Sequence, residues 1–329
     1  MSLAHRRAFV TGAGGFIGSH LVERLAAEGA EVSAFVRYTS RSDPGLLSVL
    51  DPQLLRGVRV IAGDLRDSDA VHKAMAGAEL VFHLGALISI PYSYLHPREV
   101  VETNVLGTLN VLLAARDLNV SRVVHVSSSE VYGTATETPM NERHPLHVQS
   151  PYAASKLGAD KLAESFHLTY GLPVALVRPF NAYGPRQSAR AVIPAIVSQA
   201  LAGDVVRLGN LEARRDFTFV TDTVAGMRAA AEVGPAVGQT MNLGSGQDVS
   251  IGEIVELVSA MLGKPLRVEQ DAQRLRPPTS EVERLIADSN LAAELLGWKP
   301  AVSFADGLSQ VVAWVDGQRH RYRPDDYVV

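Results

Sequence analysis

The sequence has the composition of an ordinary globular chain with a slightly acidic balance. Its 329 residues are 47% hydrophobic and 20% charged, which is enough for a sizeable core in one large domain or two joined ones. Lys and Arg number 31 against 35 Asp and Glu, a net charge of −4, so neither nucleic acid nor an anionic membrane is an expected partner. The absence of cysteine excludes disulfides, thiolate metal sites and cysteine nucleophiles.

The sequence shows no targeting signal. No apolar run approaches the ~20 residues that a membrane-spanning helix needs. The apolar stretch before Gly12 is too short for a signal peptide. Together with the lack of cysteine, these features predict a soluble, cytoplasmic protein, and no metal site is predicted.

Short apolar runs alternate with amphipathic segments of helical length through the first half of the chain. This alternation is typical of a doubly wound α/β fold, in which helices cover both faces of a parallel sheet. The runs predict strands at residues 7–11, 31–36, 58–61, 79–84, 122–126 and 174–177, with helices at 16–28, 67–75, 98–118 and 150–170.

Shorter elements of both kinds follow residue 180. This change predicts a smaller, mixed α/β domain at residues 181–329 after a doubly wound domain at residues 1–180, with elements free to cross the boundary. Strands are predicted at 205–208, 217–220, 240–243 and 266–268, and helices at 191–201, 224–232, 251–262 and 290–296.

A glycine-rich turn, TGAGGFIG, separates the first predicted strand from the first predicted helix. Gly12, Gly15 and Gly18 allow a tight turn, a close approach to a pyrophosphate and close packing of helix on strand. Phe16 and Ile17 begin the helix, whose N-terminus offers free N–H groups and a partial positive charge to an anion. The strand–turn–helix context favours a dinucleotide site of the Rossmann type over a tight turn without a ligand.

The residue at the end of the second predicted strand helps to distinguish NAD from NADP as the cofactor. A carboxylate usually holds the ribose 2′-hydroxyl of NAD there, whereas this chain has Arg37, whose guanidinium suits the 2′-phosphate of NADP. Arg37 has two other possible roles, stacking over the adenine ring or facing solvent. The sequence is therefore compatible with either NAD or NADP as the cofactor. Asp64 and Leu65 follow the third strand, where Asp64 is placed either near the adenine amino group or as the N-cap of the next helix.

Two further segments carry groups suited to acid–base chemistry. Tyr152 and Lys156 are four residues apart on a predicted helix and share one face. A free tyrosine has a pKa of about 10, and a nearby ammonium together with a positive nicotinamide ring would favour its phenolate. SSSEVYG, after the strand at 122–126, supplies Ser128 for the proton path and the carboxylate of Glu130. A surface Tyr–Lys pair and a solvated strand end are the alternatives.

These segments together resemble one enzyme superfamily. TGAGGFIGSH, SSSEVYG, the Tyr152/Lys156 pair and RPFNAYGP resemble the extended short-chain dehydrogenases/reductases, and among them the nucleotide-sugar epimerases, dehydratases and decarboxylases. RPFNAYGPRQSARAVIP and RLRPPTSEVERL are most similar to UDP-N-acetylglucosamine 4,6-dehydratases of the legionaminic-acid type. The resemblance covers essentially the whole chain, and it implies a Rossmann-type domain followed by a nucleotide-sugar-binding domain.

The resemblance implies a redox step at C4 of the sugar. In the family, a tyrosine takes the proton of the C4 hydroxyl while the cofactor takes the hydride. Tyr152 matches this base, Lys156 the partner that lowers its pKa, and Ser128 the hydroxyl that bonds the C4 oxygen. The cofactor, NAD or NADP, is oxidised again in each cycle and is therefore expected to be tightly bound.

Glu130 matches the group that distinguishes the dehydratases. Once C4 is a ketone, the C5 proton is acidic, and a carboxylate removes it while the C6 hydroxyl leaves. Many glucose-type 4,6-dehydratases have Asp before this Glu, to protonate the departing hydroxyl. Ser129 stands at that place here, which leaves the general acid unassigned; GDP-mannose dehydratases also have Ser before Glu, and Glu130 is able to serve both steps.

The resemblance also implies how the substrate, a nucleotide-diphosphate sugar, is held. Asn181 matches a residue that contacts the sugar diphosphate, and Arg215 and Arg276 match arginines that bind the diphosphate and nucleoside. Two fixed cations with forked donors suit a dianionic pyrophosphate. A solvated surface role is the alternative for each arginine, and a homodimer is expected.

Three other functions compete with the 4,6-dehydratase. UDP-glucuronate decarboxylases also have Ser-Glu at residues 129–130, so decarboxylation is the main alternative. Simple 4-epimerases usually lack the Glu. A non-catalytic dinucleotide sensor would not need Tyr152, Lys156 and Glu130 together.

Overall fold

The computed structural model describes residues 3–275 and 277–324 of the chain. No helix in these two ranges is long and apolar enough to span a membrane. The strands in chain order are β1 (Arg7–Thr11), β2 (Glu31–Arg37), β3 (Val58–Gly63), β4 (Leu80–His83), β5 (Arg122–Val126), β6 (Val174–Pro179), β7 (Asn181–Tyr183), β8 (Val205–Leu208), β9 (Arg214–Phe219), β10 (Thr240–Leu243), β11 (Asp248–Ser250), β12 (Arg267–Gln270) and β13 (Arg284–Leu285). The α-helices are α1 (Phe16–Ala27), α2 (Pro52–Leu55), α3 (Ser68–Met75), α4 (Ile90–Leu95), α5 (Pro97–Val101), α6 (Gly107–Asp117), α7 (Pro151–Tyr170), α8 (Val192–Ala202), α9 (Val220–Glu232), α10 (Ile251–Leu262), α11 (Asn290–Leu296) and α12 (Phe304–Gly317).

A parallel sheet in the order β10-β6-β5-β4-β1-β2-β3 forms the centre of the described structure. Its strands are rich in Val, Ala, Leu and Phe because both faces are covered. One core cluster joins the sheet to α1 and α9, and a second joins its other face to α3, α6 and α7. The order 3-2-1-4-5-6 within the sheet is that of a Rossmann fold, so the predicted doubly wound α/β fold is confirmed.

A second, smaller region contains mixed sheets. In the described residues β9 pairs with β7, β11 and β13, and β8 pairs with β12. All of these strands except β13 share a core cluster with α8, α10 and α12, and Leu285 of β13 lies in another cluster with Tyr132 and Phe180. Between them, α9 and β10 return to the main sheet and cross the predicted boundary at residue 180. The division into two domains stays a prediction.

The helix predicted at residues 98–118 is interrupted by a π-helical turn at Glu102–Leu106. Asn104 lies in this turn and is buried. Its amide oxygen accepts a hydrogen bond of 2.7 Å from the N–H of Leu87. Its amide nitrogen donates to the carbonyl oxygen of Leu87 and to the hydroxyl of Ser155, both at 2.9 Å. The turn therefore ties the loop after β4 to α7. Such turns are frequent near functional sites, and no local apolar spacing reveals them.

Candidate active site

The functional segments meet at one edge of the main sheet. Because its strands are parallel, their carboxyl ends lie at the same edge, where ligands of doubly wound sheets bind. β1 leads into the glycine turn, β5 leads into SSSEVYG, and β6 is followed by Asn181. α7, which carries Tyr152, packs against the sheet beside them.

The glycine turn forms a cradle of bare backbone. Gly12 has φ of +67°, and a Cβ at this position would lie 2.8 Å from a backbone nitrogen of the loop after β4. A Cβ on Gly18 would overlap the carbonyl oxygen of Gly12. Gly15 is the N-cap of α1, which begins with Phe16 and Ile17, and no side chain caps it. The turn therefore fits a pyrophosphate lying against the helix N-terminus.

Arg37 lies at the end of β2 and is exposed over 70% of its side chain. Its guanidinium is 3.7 Å from the carboxylate of Glu99, which also accepts a hydrogen bond from the Tyr92 hydroxyl. At this exposure the ion pair holds Arg37 only weakly. The guanidinium is therefore accessible at the position predicted for it.

Asp64 and Leu65 follow β3 as predicted. Asp64 pairs with Arg66 at 2.6 Å, and the hydrogen bond from Arg66 is the main reason that the pKa of Asp64 lies below its usual value. Asp67, rather than Asp64, caps the following helix. Leu65 is buried, and its carbonyl oxygen accepts a hydrogen bond from Asn110. The N-cap alternative for Asp64 is therefore removed.

Four of the predicted catalytic residues lie in the turn after β5 and at the start of α7. Tyr152 is buried, and burial raises its pKa to about 12; a hydrogen bond with Ser128 opposes this, and the charge of Glu130 adds to it. The Ser128 hydroxyl also accepts a hydrogen bond of 3.2 Å from the backbone N–H of Glu130. Ser129 is buried in the same turn. Their catalytic roles stay predictions.

Lys156 lies one turn further along α7 and is also buried. Its ammonium donates a hydrogen bond of 2.7 Å to the carbonyl oxygen of Val126 at the end of β5. Burial lowers its pKa to about 8, and the carboxylate of Asp160 opposes this shift. The sequence predicted that Lys156 favours the Tyr152 phenolate. In the protein alone, burial instead raises the pKa of Tyr152.

The family model described as GDP-mannose 4,6 dehydratase matches residues 9–311 of the chain. A UDP-glucose 4-epimerase of Mycolicibacterium smegmatis is 36% identical over 314 residues, covering 93% of this chain and 97% of that protein. The chain belongs to the nucleotide-sugar epimerase and dehydratase family of extended short-chain dehydrogenases/reductases. The resemblance seen in the sequence motifs is thereby confirmed.

Both activities occur among the relatives of this family member. A dTDP-glucose 4,6-dehydratase of Actinoplanes sp. is 33% identical over 319 residues, covering 94% of this chain and 98% of that protein. The structure of DesIV, a dTDP-glucose 4,6-dehydratase from Streptomyces venezuelae with NAD bound, has a TM-score of 0.86 and 33% identity, and covers 97% of this chain and 99% of that one. Overall similarity therefore does not separate dehydratase from epimerase.

The predicted substrate-binding residues Asn181 and Arg215 differ in whether their side chains are hydrogen-bonded within the protein. The side-chain nitrogen of Asn181 is buried and has no hydrogen-bond partner among the residues that the structure describes. A ligand acceptor would satisfy it. Arg215 is buried and donates to a carboxylate oxygen of Glu281 at 3.1 Å and to the carbonyl oxygen of Glu283. Arg276 lies outside the described residues.

A group of buried polar side chains behind the site was not predicted from the sequence. Asp160 accepts hydrogen bonds from Ser127 and Arg178, and Arg178 donates to the hydroxyl of Tyr132. One local signal was available: Asp160 is four residues after Lys156, on the same face of α7. The contact with Arg178 is not local and has no such signal.

Proposed function

We propose that this family member is an NAD(P)-dependent nucleotide-sugar 4,6-dehydratase that forms a 4-keto-6-deoxy sugar. The observation that carries the proposal is the position of Glu130 in the turn that Ser128 caps at the end of β5. Ser128 and the charge of Glu130 both act on the buried Tyr152. A base at C4 is sufficient for epimerisation. Elimination needs a second proton acceptor for C5, and Glu130 supplies a carboxylate beside the first.

The glycine turn supports a nicotinamide dinucleotide as the cofactor. Gly12 and Gly18 leave space that a Cβ would fill, and the uncapped N-terminus of α1 suits the pyrophosphate. Bound there, a nicotinamide would supply the hydride acceptor for C4 and the hydride donor for C6. The positive charge of its ring would lower the pKa of Tyr152, whereas burial raises that pKa.

The protein side chains then divide the proton transfers. Tyr152, hydrogen-bonded to Ser128, accepts the proton of the C4 hydroxyl as C4 becomes a ketone. Glu130 removes the C5 proton, which the ketone has acidified. The C6 hydroxyl takes up a proton and leaves as water. C5 regains a proton at the end, so the sugar loses one water molecule without net oxidation.

Substrate binding is assigned to Asn181, Arg215 and Arg276. The unsatisfied amide of Asn181 offers a donor to the sugar diphosphate. Arg215 is held by Glu281 and a backbone carbonyl, so its guanidinium is fixed before the diphosphate arrives. We also propose that the enzyme acts as a homodimer and holds its cofactor tightly.

A 4-epimerase is the second candidate, because the relative from Mycolicibacterium smegmatis has that function. It would use Tyr152 and Ser128 in the same way, and Glu130 would have no part in proton transfer. The two candidates predict different products from the same substrate.

Incubation with UDP-, dTDP- and GDP-linked hexoses and with UDP-glucuronate, followed by mass spectrometry and NMR spectroscopy of the products, tests the proposal. We expect a product lighter than one of these substrates by one water molecule. A product of unchanged mass with inverted C4 would overturn the dehydratase assignment in favour of the epimerase. Loss of carbon dioxide from a glucuronate substrate would overturn both.

A further inference from the structure

Four buried polar side chains form a continuous chain of contacts behind the candidate site. Asp160, Arg178, Tyr132 and Asn242 are each exposed over 2% or less of their surface. None of them has a part in the proton transfers described above. Burying so many polar groups is costly unless every one is hydrogen-bonded. The hydrogen bonds between them therefore show which segments this group holds in place.

Asp160 joins α7 to the ends of two strands. It lies one turn after Lys156, and its carboxylate accepts hydrogen bonds from the hydroxyl of Ser127 at 2.7 Å and from Arg178 at 3.2 Å. His125, on β5, lies 3.2 Å from its other oxygen. The helix that carries Tyr152 and Lys156 is therefore tied to β5 and β6.

Arg178 connects Asp160 on α7 to Tyr132 in the SSSEVYG segment. Its guanidinium donates a hydrogen bond of 3.1 Å to the hydroxyl of Tyr132 and lies 5.0 Å from the centre of that ring. The same hydroxyl donates to the amide oxygen of Asn242 at 2.8 Å. The amide nitrogen of Asn242 donates in turn to the backbone of Met140. Tyr132 is thus held both along its ring and at its tip.

Tyr132 ends the short 3₁₀ turn, Ser129–Tyr132, that contains Glu130. Gly133 follows with φ of +68°, and a Cβ there would overlap the carbonyl oxygen of His147, so the chain leaves the turn in a fixed direction. Ser128 caps the start of the turn by accepting a hydrogen bond from the N–H of Glu130. Ser129 and Val131 are buried in the same turn, and Tyr132 adds polar anchoring through its hydroxyl bonds with Arg178 and Asn242.

We propose that Tyr132 is a positioning residue that fixes the turn of Ser128 and Glu130 relative to Tyr152 and Lys156. The connection runs from the Tyr132 hydroxyl through Arg178 to Asp160 on α7. The role of Glu130 in this inference rests on the proposed dehydratase function. A displacement of about 1 Å in a reacting group can slow turnover by about 100-fold, so loss of the anchor should be visible in kcat.

Tyr132→Phe removes the hydroxyl and keeps the ring. Tyr183→Phe is the matched control, because Tyr183 is 1% exposed and its hydroxyl donates only to the backbone of residues 303 and 304 among the described groups. We expect Tyr132→Phe to lower kcat about 10- to 100-fold with KM unchanged and with reduced cofactor accumulating during turnover. Tyr183→Phe should keep the kcat of the wild type. Cofactor content and Tm of both variants report whether they fold alike.

Asn242→Ala is the second variant, because it removes the other partner of the Tyr132 hydroxyl; it should lower kcat in the same direction. The product mass from the wild type reports separately on the dehydratase proposal. If the wild type proves to be an epimerase, that proposal fails, and the same kcat comparison still tests the anchor because Ser128 lies in the anchored turn. Equal kcat for Tyr132→Phe and Tyr183→Phe, or a loss explained by lower cofactor content, would overturn the positioning role.

Discussion

The ammonium of Lys156 lies 2.7 Å from the carbonyl oxygen of Val126, in a position that is 4% exposed. Burial lowers the pKa of Lys156 from 10.5 to about 8. Between these values the unfolded chain binds a proton that the folded chain has lost, so the contribution of Lys156 to stability becomes more favourable as pH rises through this window. Lys156 therefore destabilises the protein at neutral pH, where it is buried in its charged form.

Lys156→Met should reveal this contribution. As pH rises from 8 to 10.5, the free energy of unfolding of the wild type should increase relative to that of the variant, by at most about 3 kcal/mol at about 1.36 kcal/mol per pKa unit. Denaturant unfolding at several pH values measures the difference. Lys161→Met is the control, because Lys161 is exposed on the same helix. A difference between wild type and Lys156→Met that stays constant across this window contradicts the assignment.

Tyr152→Phe should keep the fold and the cofactor and lose turnover. The ring still fills its buried position, whereas the proton acceptor for the C4 hydroxyl is gone. Removal of such a group typically lowers the rate by about 100- to 10,000-fold. Steady-state kinetics with the substrate found by mass spectrometry measures the loss. Turnover close to that of the wild type would remove Tyr152 from the mechanism.

Gly12→Ala should weaken cofactor binding. The new Cβ would lie 2.8 Å from a backbone nitrogen in a residue with φ of +67°, so the turn must move away from the pyrophosphate. Gly77→Ala is the control, because Gly77 has φ of +82° but nothing within 4 Å of its Cβ. The measurement is the rise in Tm on addition of NAD or NADP. An equal rise in both variants would place the cofactor elsewhere.

Arg37→Asp should shift the cofactor preference towards NAD. The change removes an exposed positive charge from the end of β2 and supplies an acceptor for the ribose 2′-hydroxyl. Cofactor released by denaturing the purified protein identifies what the wild type holds, and the affinities for NAD and NADP measure the shift. Arg98→Asp controls for net charge, because Arg98 is exposed on α5 and pairs with Glu102. No change in the affinity ratio would mean that Arg37 faces solvent in the complex.

The strands and turns of the main sheet were predictable because their signals are local. Arg7–Thr11 and Arg122–Val126 are short buried runs next to glycine or serine, and their observed bounds equal the predicted ones. α12 was missed although Leu308, Val311 and Val315 are buried at helical spacing. That spacing was sufficient to predict it.

The contacts that organise the candidate site were beyond local prediction. Arg215 and Glu281 are 66 residues apart, and Arg178 and Tyr132 are 46 apart. Such pairs form only when the whole fold brings strand ends together. The candidate groups Tyr152 and Ser128 were predicted from their motifs, but the pKa of about 12 at Tyr152 follows from burial, which spacing does not show.

Glu130→Gln tests the central claim most directly. Gln keeps the size of the side chain and part of its hydrogen bonding, so a large effect reports on the carboxylate rather than on packing. The measurement is the absorbance of reduced cofactor on the enzyme after addition of the correct sugar nucleotide, with the product mass recorded in parallel. We predict that C4 oxidation proceeds and elimination stalls, so that reduced cofactor accumulates and no dehydrated product forms. Dehydration at the rate of the wild type would contradict the proposal and leave Glu130 as a solvated residue at a strand end.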